Sequence, residues 1–319
     1  MTTFDATHHA HLALQPTATA VSRHGHAVAV LLGGAALGML VAGFWNVRAV
    51  DGLGLAMFVT PVIGPFEGKA TEFAAHGYLY GLLFGVLAGF AATFTASNLA
   101  SFALLPILWL SNARAASPVS LARLLLVTAC GVGLIGLAYG AFYGRLGVDG
   151  AAAFHAGPIR SAQSFTVFGA VGLAMLGWAV IEAGLARDQS SSIRAALARP
   201  HVAAAVVGVA IGLFSIGRPL AVFREALRYT AQPGLVAYAA FIGTCAALAT
   251  LAGGALVLTV AARLAGPRLT ARTIRRPRAA QMAAAGSLAA GGSFLIFYWC
   301  ITRVWPAMGR WGFALGWYG

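Results

Sequence analysis

Charged side chains are scarce in this sequence, and the little charge it carries is one-sided. Only 9% of its 319 residues are charged, with 8 Asp and Glu against 21 Lys and Arg, of which Lys69 is the only lysine. Hydrophobic residues make up 60% of the chain, and the mean hydropathy is +0.81. A soluble globule of this composition would expose far too much apolar surface to water. The composition excludes an ordinary soluble domain and predicts a protein embedded in lipid.

Carboxylates are also missing from the centres of the apolar runs. Ion-coupled carriers usually place a carboxylate at mid-membrane, but only Glu182 comes near, and it lies one turn from the end of its run. No close carboxylate pair, phosphate-binding loop, dinucleotide fingerprint or metalloprotease motif is present. The three cysteines, Cys130, Cys245 and Cys300, lack CxxC spacing. They predict small core residues rather than a disulfide framework or a zinc site.

Long apolar runs fill most of the chain. Runs long enough to cross roughly 30 Å of hydrocarbon lie at 27–47, 73–95, 121–143, 164–186, 201–217, 234–264 and 281–304. Of two shorter runs, 98–111 predicts a short span kinked at Pro106, and 52–66 a short crossing, a re-entrant segment or an interfacial loop. We therefore predict an all-α polytopic transmembrane helical bundle of eight or nine spans over residues 27–304. A polar, His-rich leader at 1–26 precedes it, and a tail at 305–319 follows.

Arginines between the runs predict the orientation of the bundle. The loops at 112–123, 187–199 and 263–278 are richest in arginine, and the positive-inside rule places them in the cytoplasm. The N-terminus then falls inside with nine spans and outside with eight. Arginines spread in this way predict contact with anionic lipid rather than nucleic acid. We expect an integral protein of the bacterial cytoplasmic membrane, with a short amphipathic helix at 218–229 in the opposite interface.

Histidine is the remaining residue type with the capacity for chemistry. His76 opens one run, His24 and His26 precede the first run, and His201 opens another. Imidazole at a membrane interface can ligate haem iron or copper. With nine spans all four begin their spans on the cytoplasmic side, so a shared site is geometrically allowed; with eight, His24 and His26 fall on the far side. His155 lies in a loop on the opposite side. A purely interfacial role is the simpler alternative for each histidine.

His76 is the strongest candidate because of the helix that it opens. Aromatic residues flank it, and Gly81, Gly85 and Gly89 recur every four residues. Such a spacing makes one smooth face, which lets a neighbouring helix or a planar macrocycle approach closely. Helix packing is the default explanation of this pattern.

The stretch from 76 to 93 resembles the NnrS family, membrane proteins that contain haem and copper and are linked to nitric oxide and denitrification. The family pattern H-E-M-L-F-G-F-x-x-A-V-I-A-G-F-L-L-T is matched at His76, Leu79, Tyr80 (for Phe), Gly81, Val86, Ala88, Gly89, Phe90 and Thr93. ALLPILWLSNAR at 103–114 is similar to the family's next span. SFTVFGAVGLAMLG at 164–177 is similar to its T-V-G-A-x-G-x-M-x-L-G motif, with one inserted residue.

The resemblance implies a haem- or copper-binding protein of the nitric oxide response or of respiratory redox chemistry. It makes His76 the metal ligand, with further cofactor-binding candidates in His24, His26 and His201. Two departures put ligation in doubt.

The first departure is Gly77, which stands where the family has Glu. The second lies near Gln163 and Ser164, where the family has a histidine. Two other functions fit the sequence: a non-catalytic accessory subunit that packs against other membrane subunits, and a carrier or channel for a small neutral or anionic solute that uses Arg-rich helix ends.

Overall fold

Helices make up the fold throughout the part of the chain that the structure describes. The computed structural model describes residues 15–115, 117, 119–186, 191–309 and 311–316, and within them it has no β-strand. Eight helices are long and apolar enough to cross a bilayer, and a shorter apolar helix covers Ala49–Ile63. The prediction of an all-α polytopic bundle is confirmed. Most of the predicted leader, residues 1–14 with His8, His9 and His11, lies outside the described residues.

The helices follow one another with short connections. In chain order they are α1 (Gln15–Gly43), α2 (Val47–Gly54), α3 (Thr60–Ile63), α4 (Phe73–Ala92), α5 (Ala96–Ala100), α6 (Leu105–Arg114), α7 (Leu121–Phe154), α8 (Gly157–Glu182), α9 (Ser191–Leu197), α10 (Pro200–Gly217), α11 (Ala221–Thr230), α12 (Val236–Arg275) and α13 (Pro277–Ile296). Two π-helical segments, Leu55–Val59 and Phe297–Ile301, continue α2 and α13. The 3₁₀ turn Ser101–Leu104 joins α5 to α6, just before the kink predicted at Pro106.

The described parts of the three Arg-rich loops lie at one end of the bundle, which we call the basic end. Arg114, the last residue of α6, pairs with Glu182, the last residue of α8, at 3.1 Å. Gln281, near the start of α13, donates a hydrogen bond to the carbonyl of Glu182. Ala27 of α1 packs in the same cluster as Met282. The start of α1 is therefore at the basic end, which is the side that the nine-span alternative gave to the N-terminus.

Helices α4 and α5–α6 run in line along α12 instead of folding back as a hairpin. Gly89 of α4 faces Ala246, and Trp109 of α6 faces Gly266. Residue numbers in α4–α6 and in α12 therefore rise in the same direction along the bundle. Helix α12 has 40 residues and is about 60 Å long at 1.5 Å per residue. The two candidate spans, Phe73–Ala92 and Ala96–Arg114, thus run end to end through the bundle. We call this pair the interrupted passage, because its helix is broken at 93–95.

The glycine face of α4 is covered by α12. A Cβ added at Gly85 would meet the side chain of Ile242, and one added at Gly89 would collide with the carbonyl of Ala246. Helices in lipid associate where small residues let their backbones approach. This face therefore serves helix packing, as expected by default, and it is closed to a macrocycle.

Two local predictions need correction. The amphipathic helix is present as α11, but Phe223 and Leu227 are only 2% and 1% exposed and pack against protein, not lipid. The reason is that α4 and α7 pack against α11 and supply an apolar surface for it. All three cysteines are free, but Cys130 is exposed on the bundle surface rather than buried in the core.

Candidate functional site

The four candidate histidines are not brought together. His24 and His26 lie near the start of α1, and His201 opens α10, so these three are at the basic end, where all are exposed. His76 lies at the far end of the bundle. The carbonyl of the next residue, Gly77, accepts a hydrogen bond from Tyr229 at 2.9 Å, and α4 starts beside the start of α12. The shared site that nine spans would allow is not formed.

His76 itself has one carboxylate neighbour. Its Nε2 is 3.1 Å from Oε2 of Glu72, and its ring stacks on Tyr80 with 4.7 Å between centroids. Within the described ranges, no group of three or more His, Cys, Asp or Glu side chains is placed to hold a metal ion. Gly77 has a φ of 67°, a conformation that L-residues rarely adopt. The family's Glu would be strained here, and the described side chains do not fit a multi-ligand centre.

A group of half-buried arginines lies elsewhere, around a cavity at the end opposite to the basic end. The cavity has a volume of about 660 Å³, and we call it the arginine cavity. Arg160 from the start of α8, Arg218 after α10 and Arg303 after α13 line it. Arg160 and Glu182 are on the same helix, and 22 residues separate them, which is about 33 Å at 1.5 Å per residue. The cavity and the basic end are therefore a bilayer thickness apart.

Arg160, Arg218 and Arg303 line this one cavity, and none of them forms an ion pair with a carboxylate of the described residues. Ion pairs among the described residues join Lys69 and His76 to Glu72, Arg114 to Glu182 and Arg228 to Glu225. The guanidinium of Arg303 instead donates to the hydroxyl of Ser161. The Nε of Arg160 is buried and has no acceptor in the part of the chain that the structure describes. The cavity thus keeps its positive charge available.

Arg218 is the central cation of the arginine cavity. Its guanidinium lies 4.9 Å from the ring centroid of Trp299, a cation–π contact that fixes its direction. Burial, together with the nearby charges of Arg160 and Arg303, lowers the pKa of Arg218 to about 10. Three like charges at a half-buried site are unfavourable unless an anion joins them.

Asp51 is the one acidic side chain that lines the cavity. Burial raises its pKa to about 6, against the opposing effect of the Arg218 charge. One carboxylate oxygen, Oδ1, is buried without a hydrogen-bond donor among the described residues. Near neutral pH this carboxylate offsets only part of the arginine charge.

Irregular backbone surrounds the arginine cavity. Trp299 belongs to the π-helical segment at the end of α13, and Asp51 precedes the other π-helical segment. The break between α4 and α5 supplies Thr95, and the first turn of α5 supplies Ser97; they are 8% and 1% exposed. Next to them, the Oδ1 atom of Asn98 is buried without a donor in the described structure. Unwound backbone and π-bulges within membrane helices occur mainly at functional sites.

His155 is the most buried histidine of the described chain, although its place in a loop between two apolar runs did not indicate burial. It is 7% exposed, with its Nε2 at 3.3 Å from the hydroxyl of Tyr139. Burial lowers its pKa to about 3, and the charges of Arg224 and Arg160 act in the same direction. His155 is therefore neutral at any physiological pH. It adds no charge beside the cavity, and the positive charge there comes from Arg160 and Arg224.

Sequence reasoning missed the arginine cavity as a whole. Arg160, Arg218 and Arg303 stand at the ends of different apolar runs, where arginine is ordinarily a topology determinant. A usable signal was that these arginines fall on the side that the positive-inside rule leaves poor in positive charge.

Comparison of the chain with protein families, with curated proteins and with solved structures gives no match. The resemblance to the NnrS family therefore depends on its motif residues alone.

Proposed function

We propose that this integral membrane protein binds a small anion in the arginine cavity and carries it into the membrane. The observation behind the proposal is the meeting of Arg160, Arg218 and Arg303 around a cavity of about 660 Å³, in which Asp51 is the only carboxylate among the described residues. Guanidinium groups bind carboxylate, phosphate and similar oxyanions through paired N–H donors. A solute carrier or channel is thus favoured over the accessory subunit.

The interrupted passage supports a carrier rather than a fixed binding site. Discontinuous membrane helices commonly form the substrate sites of secondary transporters. Here Thr95 of the interruption and Ser97 of the first turn of α5 line the cavity. Buried hydroxyls continue from it: Thr93 donates to the carbonyl of Thr250, and the hydroxyls of Thr250 and Ser215 are 3.0 Å apart. This polar seam gives an anion partners below the cavity.

We infer the orientation from the basic end. The positive-inside rule places its loops in the cytoplasm. The arginine cavity then faces the opposite side, which is the periplasm if the membrane is a bacterial cytoplasmic membrane. In this orientation the anion enters from outside the cell.

The test is anion uptake by the purified chain in liposomes of phosphatidylcholine, which adds no anionic lipid to compete. Radiolabelled sulfate, phosphate, nitrate and acetate are the probes. We expect saturable uptake of at least one of them, reduced more than tenfold in Arg218→Gln, because a charge-assisted hydrogen bond is lost. Arg199→Gln, an exposed arginine at the basic end, is the matched control and should behave as wild type.

Two results would overturn the carrier proposal. One is the absence of binding and uptake for every probe in a folded wild-type protein, which favours the accessory subunit. The other is equal uptake by Arg218→Gln and wild type, which separates any transport from the arginine cavity.

Haem or copper binding of the NnrS kind is a second proposal. The observation in its favour is His76, an exposed imidazole oriented by Glu72 at 3.1 Å. An outer carboxylate of this kind orients many metal-bound histidines. The test is the optical spectrum of the oxidised and dithionite-reduced protein with a total-metal analysis. A Soret band or stoichiometric copper that is lost in His76→Ala supports this proposal, and a colourless, metal-free protein expressed with haem and copper supplied rejects it.

A further inference from the structure

A second large cavity runs along the outside of the bundle at its basic end, between α6, α12 and α13. We call it the lateral groove, and its volume is about 580 Å³. Its walls are mainly apolar, with Trp109 from α6, Leu258 and Leu269 from α12 and Ala283 from α13. Because these helices face lipid, the groove is open to a molecule that diffuses within the bilayer.

The groove changes from apolar to cationic along its length. Leu258, Leu269 and Arg272 line it from α12 at spacings that keep them on one helical face, and Arg276 lines it from the residue that follows α12. From Leu258 to Arg272 the helical rise is about 21 Å at 1.5 Å per residue. One leaflet contributes about half of the roughly 30 Å hydrocarbon core. The groove is thus long enough to reach from the headgroup region to the bilayer centre.

Four arginines meet at the cationic end. Arg272 and Arg276 also line an adjoining cavity of about 540 Å³, together with Arg268 and Arg275. The ion pairs among the described residues involve none of these four. An apolar channel that ends in unpaired guanidinium groups at the membrane surface is complementary to a lipid with a negatively charged headgroup.

We propose that the lateral groove binds one anionic phospholipid, with an acyl chain along Leu258 and Leu269 and the phosphate on Arg272 and Arg276. The site shares no residue with the arginine cavity and does not depend on the proposed transport function.

The test is native mass spectrometry of the full chain with phosphatidylglycerol and phosphatidylcholine that carry the same acyl chains. We expect wild type to bind phosphatidylglycerol at least tenfold more tightly. The double variant Arg272→Ala/Arg276→Ala should lose about 30-fold in phosphatidylglycerol affinity, from two arginines near an anionic headgroup. Ala283→Trp, at an exposed position of the groove wall, should weaken the binding of both lipids because it fills the acyl path.

The matched control is Arg194→Ala/Arg199→Ala, which removes the same charge from exposed positions outside the groove. Equal affinity of wild type for the two lipids would overturn the proposal. So would an unchanged headgroup preference in Arg272→Ala/Arg276→Ala, or the same loss in the control. These results leave anion uptake through the arginine cavity untouched, so the two proposals fail separately.

Discussion

Arg272, Arg275 and Arg276 at the basic end are exposed, whereas Arg160, Arg218 and Arg303 at the opposite end are half-buried around a cavity. The residue type is the same, and the difference lies in desolvation. An exposed arginine interacts with headgroups and salt at little cost, while a buried one without a carboxylate needs a counter-anion. Burial at the end where the positive-inside rule does not favour arginine therefore indicates a ligand site.

The largest effect is expected at Glu182, a buried carboxylate of the basic end, where arginine does have a buried partner. Glu182 is 6% exposed and pairs with Arg114 at 3.1 Å. Arg114→Ala would leave this carboxylate buried without its cation. We expect the free energy of unfolding in detergent to fall by about 3 kcal/mol, measured by chemical denaturation.

Arg123→Ala is the control for this measurement. Arg123 is exposed in the first turn of α7, so this variant also loses one arginine but leaves no buried carboxylate without its cation. Its unfolding free energy should change by less than about 0.5 kcal/mol. Equal stability of Arg114→Ala and Arg123→Ala would show that Glu182 finds other donors and that the pair is not a structural contact.

A second prediction separates the charge of Arg218 from the geometry of its guanidinium group in the arginine cavity. Arg218→Lys keeps the charge but loses the planar guanidinium that lies over Trp299 and its paired donors. We expect the anion affinity to fall about tenfold, equivalent to about 1.4 kcal/mol, as measured by isothermal titration calorimetry with the anion that gives uptake. Arg199→Lys should leave the affinity unchanged. An unaltered affinity in Arg218→Lys would mean that positive charge alone, without guanidinium geometry, holds the anion.

The fold was more predictable than the site because the helices depend on residues close together in the chain, whereas the site depends on contacts between distant segments. Apolar runs report local burial in lipid, so the helices and the packing role of Gly85 and Gly89 follow from the sequence. The run at 27–47 gave α1 its apolar part, although the helix begins earlier, at Gln15. Positions close in the chain are sufficient for such predictions.

The arginine cavity depends on long-range contacts that no local pattern contains. Arg160, Arg218 and Arg303 come from three different chain segments. The interruption between α4 and α5 was visible as a gap between runs, but a gap predicts a hairpin as readily as a continuous passage. Only the alignment of Gly89 with Ala246 and of Trp109 with Gly266 distinguishes the two.

A third prediction concerns Asp51, the carboxylate that competes with an anion for Arg218. Its pKa is about 6 because burial disfavours the charged form. Below pH 6 it is neutral and the cavity keeps its full positive charge; above pH 6 the carboxylate is charged and repels the ligand. Anion affinity should therefore fall several-fold between pH 5 and pH 7.5, and bound anion should in turn raise the pKa of Asp51.

Sulfate or nitrate suits this titration because neither changes its charge in that range. His155 stays neutral, since its pKa is about 3. Asp51→Asn should bind tightly at both pH values. Glu67→Gln, which removes an exposed carboxylate, should keep the wild-type pH dependence. Affinity that rises with pH in wild type would contradict the assignment of Asp51 as the competing group.

The smallest effect is expected from a single exposed arginine of the basic end. Arg275→Gln removes one charge about as far from the arginine cavity as α8 is long, roughly 33 Å between Glu182 and Arg160. At 0.15 M salt the Debye length is about 8 Å, so the electrostatic interaction between Arg275 and an anion in the cavity is largely screened. We expect anion affinity in calorimetry to stay within twofold of wild type, and the unfolding free energy within about 0.5 kcal/mol.

If Arg275→Gln weakened anion binding as much as Arg218→Lys, affinity would follow the net charge of the protein, and burial would no longer distinguish the two groups of arginines. Repeating both titrations at low and high salt decides the matter, because a net-charge effect disappears at high salt, while a contact in the half-buried cavity persists.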